Sequence, residues 1–124
     1  MTKNNTSRIS GKAVTEALTL LTALKTNMAD RLSVQFNVAS HNLDQFVIKG
    51  RVHPLSPLET LYSTAGNFTA PTGLLTTCSG DLTAQAVDDI GSFIMDVGGY
   101  HQIEVHAASV HSAGSVVDIY TSLR

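Results

Sequence analysis

Period-two alternation dominates the chain from residue 32 onward. Leu32, Val34, Phe36 and Val38 alternate with Ser33, Gln35 and Asn37, the pattern of a strand with one buried face. Residues 45–52 repeat it, with Phe46 and Ile48 on one side and Val47, Lys49 and Arg51 on the other. A turn at Asn42-Leu43-Asp44 joins the two runs and predicts a hairpin. Pro54 and Pro57 end that pairing, because proline cannot donate to a strand ladder. The last third carries three further runs, at 92–97, 100–108 and 116–121, punctuated by Gly98-Gly99 and Ser112-Ala113-Gly114. Ile103, Val105 and Ala107 oppose Gln102, Glu104 and His106, and the three runs read as an antiparallel meander. Between the two groups, 58–63 and 74–78 are short strand candidates around a loop at 67–73, with turn signals at Ser79-Gly80-Asp81 and Asp88-Asp89.

The first thirty residues read differently. Val14, Ala17, Leu21, Leu24 and Met28 recur at three- and four-residue intervals, and Leu18 and Leu20 widen the stripe. With Ser10 as a cap, this spacing predicts a helix over 11–28. Thr15, Thr19, Thr22 and Thr26 line its other side, so such a helix depends on packing more than on intrinsic propensity. Two roles stay open for the face of Val14, Ala17, Leu18, Leu21, Leu24 and Met28: packing across a sheet, or pairing with another copy. The expected organisation is a flexible arm over 1–9, a helix over 10–30 and a β-sandwich over 31–124. The expected fold class is mainly β, an antiparallel sandwich of jelly-roll or Ig-like type with about seven or eight short strands and one N-terminal helix.

At 124 residues the chain suits one domain. Only 15% of its residues are charged, against a usual quarter or so, and twelve serines and fourteen threonines fill the gap. A hydroxyl-rich surface keeps a free monomer less soluble than a charged one, which favours a component of an assembly. The net charge of −2, with eight scattered basic residues, argues against nucleic-acid binding. No run approaches the ~20 apolar residues of a membrane helix. Glu16 and the threonines spoil residues 17–24 as the core of a signal peptide.

The candidate chemistry is sparse. Cys78 is the single cysteine, so neither an intramolecular disulfide nor a cysteine metal cluster can form. His101, His106 and His111 recur every five residues, a spacing that alternates faces on a strand, and His41 and His53 sit beside turns. Asp88, Asp89 and Asp96 lack the spacing of a calcium loop. Ser79-Gly80-Asp81 is not a nucleophile elbow. No catalytic, metal or cofactor set emerges, and the expectation is a protein that is not an enzyme. The absence of Trp leaves Tyr62, Tyr100 and Tyr120 as the amphipathic rings, with Phe36, Phe46, Phe68 and Phe93 assigned to the core.

Ser79-Gly80-Asp81-Leu82-Thr83, followed by Ser92-Phe93-Ile94-Met95-Asp96-Val97-Gly98-Gly99-Tyr100, resembles a phrase in small structural proteins of tailed bacteriophages. In those proteins a strand ending in an Asp-Val-small-Gly-aromatic turn leads into an alternating strand. A Gly-centred turn and a Val-rich strand then close the domain, as Ala113-Gly114-Ser115-Val116-Val117 does here. The resemblance covers residues 79–124. It implies a virion component made in the host cytoplasm: a capsid decoration or cement protein, or a tail or baseplate part. It implies partners among copies of the same chain, as a dimer or trimer, and among other virion proteins such as a major capsid protein. It carries over no functional residues. The competing class is a receptor- or carbohydrate-binding sandwich using loops 67–73 and 111–115.

Overall fold

The computed structural model describes residues 5–38, 43–63, 75–79, 90–109 and 112–124. Among these lie nine strands: β1 (Asn5–Val14), β2 (Thr19–Lys25), β3 (Arg31–Val38), β4 (Leu43–Arg51), β5 (Glu59–Ser63), β6 (Leu75–Ser79), β7 (Ile90–Asp96), β8 (Gln102–Ser109) and β9 (Ser115–Leu123). They form two sheets, ordered β1-β9-β3-β7-β6 and β2-β8-β4-β5, with antiparallel neighbours throughout. Without β6, the eight remaining strands are those of a jelly roll, in which the chain crosses from sheet to sheet at most connections. This is the mainly β two-sheet sandwich that the alternation predicts, and it resolves the choice between jelly-roll and Ig-like order.

The core fills the space between the sheets. Leu32, Val34, Phe36 and Val38 of β3 face Phe46 and Ile48 of β4 and Ile103, Val105 and Ala107 of β8, all buried. Phe46 joins the two layers: its ring stacks on Phe36 at a centroid distance of 5.3 Å and meets Phe93 edge-on at 5.8 Å. Phe68 lies outside the described residues.

Four expectations are corrected. The helix over 10–30 does not form, because this stretch holds the end of β1 and all of β2. Gly11 has φ +66° and sits in a bulge opposite β9, where the register jumps between Ile9 and Lys12. A second bulge falls between Leu20 and Thr22 of β2. The extra residue turns both Leu21 and Thr22 inward, so the buried positions imitate helical spacing on an extended chain. Thr19 and Thr22, poor in a helix, are well placed in such a strand. Likewise 5–9, expected as a flexible arm, forms the first half of β1 and pairs with β9.

The hairpin of 32–38 with 45–52 and the meander of the last three runs are also absent as pairings. β3 and β4 lie in different sheets, and β8 leaves the sheet that holds β7 and β9. Alternation fixes which face of a strand is buried, but not which strand lies beside it. The strands from β3 to β9 match the predicted runs, including β5 and β6 for 58–63 and 74–78.

Candidate functional site

Register places three connections at one end of the sandwich. Lys25 of β2 and Arg51 of β4 both oppose Gln102 of β8, while Arg31 of β3 opposes Asp96 of β7. The chain between β2 and β3, between β4 and β5, and between β7 and β8 therefore turns at the same end.

Each connection is a hydrogen-bonded β-turn. In the first, Ala29 N–H donates to Thr26 C=O at 2.9 Å, and both central residues have positive φ, Asn27 at 49° and Met28 at 66°. That is the type I′ pattern, which normally selects Asn-Gly. Here methionine occupies the glycine position, and its side chain is 91% exposed. In the second turn, Ser56 N–H donates to His53 C=O at 3.1 Å, and Pro54 presets the bend. Ser56 Oγ accepts from His53 N–H at 3.1 Å, and His53 Nδ1 accepts from Leu55 N–H at 3.0 Å. Leu55 is left 89% exposed at its tip. In the third, Tyr100 N–H donates to Val97 C=O at 3.0 Å, and Gly99 supplies the positive φ that the bend demands.

The turns are fastened to one another. Thr26 N–H donates to His101 C=O at 3.0 Å, and its buried hydroxyl donates to the Tyr100 carbonyl. His101 N–H reaches Arg51 C=O at 2.7 Å, and Val97 N–H reaches Asp30 C=O at 2.9 Å. Asp30 N–H and Arg31 N–H both donate to the Arg124 carbonyl. Between the turns opens a recess of about 350 Å³ lined by Met28, Val52, Tyr100 and His101, among others. Val52, at its rim, is 62% exposed. Beside it, Asp30, Arg31 and Arg124 line a second, charged recess of about 450 Å³. Met and Tyr side chains beside a charged border have the composition common at protein–protein contacts. Because the backbone is already held, a partner docking here would order few additional groups.

The titration of Tyr100 is shifted. Burial pushes its phenol above the ordinary tyrosine value, and the nearby Glu59 carboxylate pushes in the same direction. The phenol thus stays protonated at neutral pH as a hydrogen-bond donor.

The residues predicted as one helix face are dispersed. Val14 and Leu21 are buried, Leu24 packs partly against the core, Ala17 and Leu18 are exposed between β1 and β2, and Met28 caps the first turn. Of the histidines, His106 Nε2 lies 3.0 Å from Glu104 Oε1 on the outer face of β8, and Gln102 Nε2 donates to Glu104 Oε2 at 3.0 Å. His41, His111, Asp88, Asp89 and the loop at 67–73 lie outside the described residues. Among the described residues, no three His, Cys, Asp or Glu side chains converge as metal ligands, and no helix is long and apolar enough to cross a membrane.

This turn cluster was not apparent from the sequence, which marks only the breaks. Pro54 and Pro57 around Leu55, and Asn27 before Met28, are the local signals that an apolar residue sits on a bend.

No protein family model and no curated protein matches the sequence. The fold does have a counterpart among solved structures. The chain is similar to the crystal structure of the SPBc2 prophage-derived protein YomS, with a TM-score of 0.58 over 100% of this chain and 97% of that one. The two are 11% identical, so the likeness is one of fold.

Proposed function

We propose that this protein is a non-enzymatic structural component of a bacteriophage particle, a capsid decoration or cement protein acting through repeated protein–protein contacts. The observation that carries this reading is the turn cluster, where Met28, Val52 and Leu55 are held outward on a hydrogen-bonded frame. Met28 adds a specific argument. Holding a non-glycine residue at positive φ costs about 1 kcal/mol or more, and retained strain of this kind marks a residue kept for what it contacts. The fold shared along the whole chain with a prophage-derived protein is compatible with a phage origin, although fold alone assigns no role. The low charge and abundance of hydroxyls suit a surface largely covered by neighbours.

The partners in this reading are copies of the chain itself, as a dimer or trimer, and other virion proteins such as the major capsid protein. A contact of three apolar side chains is weak singly. Repetition by particle symmetry raises its occupancy without any new contact. Neither nucleic acid nor membrane takes part, and no step of chemistry is involved.

The test is quantitative mass spectrometry of purified phage particles encoding this chain, paired with immunogold labelling. The expected result is many copies per particle, with gold distributed over the head. Absence of the protein from purified particles would sink the proposal, and gold confined to the tail would replace cementing by a tail or baseplate role. A Met28→Asp/Leu55→Asp variant should fold normally yet lose its place on the particle.

A further inference from the structure

The outer face of the five-stranded sheet carries a second feature, which adjoins the charged recess through Ser33 and Ile94 and is independent of any place in a particle. Pairing aligns Ser92, Gln35, Tyr120 and Arg8 in one row across β7, β3, β9 and β1. Ile94, Ser33, Ser122 and Thr6 form the next row. Strands stand ~4.8 Å apart and the rows ~7 Å apart. The serines are too short to fill the space between Tyr120 and Gln35 on one side and Ile94 on the other. A hollow of about 290 Å³ results.

We infer that this hollow binds a neutral sugar residue of a glycan, with Tyr120 as the stacking platform and Gln35 and the serines as hydroxyl partners. Four observations converge on that ligand class. The Tyr120 ring is 37% exposed on a rigid central strand, and the Arg8 guanidinium lies 5.5 Å from its centroid, steadying it from the β1 side. Among the described residues, no charged side chain lines the hollow itself, Arg8 being engaged on the Tyr120 ring and Arg31 and Arg124 lining the neighbouring recess, so a neutral ligand suits it better than an ionic one. Its polar groups are an amide and hydroxyls, which both donate and accept, as sugar hydroxyls do. Finally, Ser122 Oγ is shielded from solvent and has no hydrogen-bond partner among the described residues, an unmet polar group at the wall of the hollow.

A peptide strand fits less well. The main-chain groups of β3, β7 and β9 are spent on their own ladders, so the sheet face offers no backbone pairing. A pyranose instead presents an apolar C–H face to the ring and hydroxyls around its rim, matching both rows at once. One ring and a few hydroxyl contacts give weak binding, on the order of 1 mM per site. Useful affinity then requires several copies or a repeating glycan.

The full-length protein is screened against an array of neutral glycans. The best binder is then titrated into ¹⁵N-labelled protein, with backbone amide shifts followed by NMR. The expected shifts centre on Ser33, Gln35, Ser92, Tyr120 and Ser122. Tyr120→Ala should weaken binding about tenfold or more, the loss anticipated for one stacking contact with its hydrogen bonds. Ser33→Leu, which fills the hollow and leaves the ring in place, should abolish it. Thermal melts of both variants establish that they fold. No binder with a Kd below ~10 mM, shifts that map to another surface, or binding that survives both substitutions would each overturn the inference.

Discussion

Replacing Phe46 by alanine should produce the largest loss of stability available from a single ring in this core. Phe46 is fully buried and is the side chain of β4 that touches aromatic rings on both β3 and β7. Truncating a buried phenylalanine to alanine costs about 3–5 kcal/mol, the sum of lost transfer energy and the cavity left behind. The upper half of that range applies here. The stacked and edge-on partners each add about 0.5–1.5 kcal/mol beyond burial, and both sheets border the void, so neither can close it without moving a whole layer. A domain of this size has about 5–15 kcal/mol in hand, so the variant should still fold in cool buffer. With a urea slope of about 2 kcal/mol per molar, a loss of ~4 kcal/mol lowers the midpoint by ~2 M at unchanged slope. Equilibrium urea unfolding followed by tyrosine fluorescence and far-ultraviolet circular dichroism measures this directly. Phe46→Leu, which retains most of the volume, should cost under about 1.5 kcal/mol. A midpoint shift below 0.5 M for the alanine variant, with coincident transitions by both probes, would refute the claim that Phe46 ties the sheets together.

Four further outcomes are expected. Met28→Gly should raise stability by about 1 kcal/mol by relieving positive φ, read from the urea midpoint, and on the assembly reading it should weaken attachment to particles. Gly11→Ala, whose new methyl meets nothing within 4 Å, should lose about 1–2 kcal/mol from backbone conformation alone. Gly114→Ala should cost more, since its Cβ would clash with the Val14 carbonyl oxygen; a smaller loss in a thermal melt would contradict the packing there. Stability should decline in alkali because of Tyr100. Its folded pKa lies above the ordinary tyrosine value of 10.0, so the folded state holds the proton more tightly. That contribution is complete below pH ~10 and is lost as pH climbs through the raised value. Tyr100→Phe should flatten the alkaline limb of a stability–pH curve, and Glu59→Gln should flatten it in part.

The sequence made the faces of the strands legible, and left their neighbours obscure. Val34 and Phe36 announce a buried face whatever lies beside β3, and the structure buries them as expected. Nothing in that alternation tells β3 to pair with β7 and β9 rather than with β4. The choice is made by the whole jelly roll, through contacts between residues far apart in the chain. The helix was misread for a more local reason: a single-residue bulge at Leu21 breaks period two and leaves an imitation of the helical repeat. The candidate site was hidden because its parts lie in separate connections, Met28 between β2 and β3, and Val52 and Leu55 between β4 and β5. Each alone is an ordinary exposed apolar residue. Only the register of β2, β4 and β8 shows that they share one end.

The position of β9 between β1 and β3 has a consequence for how the molecule is made. β1 is synthesised before every other strand described and has its ladder partner in β9, the last of them. The central bonds of the larger sheet therefore wait until the strands between them have left the ribosome. Such distant pairings fold slowly, on the order of milliseconds to seconds. Until then β1 and β3 expose edges that β9 will later cover. A growing chain is thus most prone to wrong pairing with its neighbours before β9 emerges. Lowering the rate of synthesis should improve the yield of folded protein more than lengthening a linker or trimming a turn.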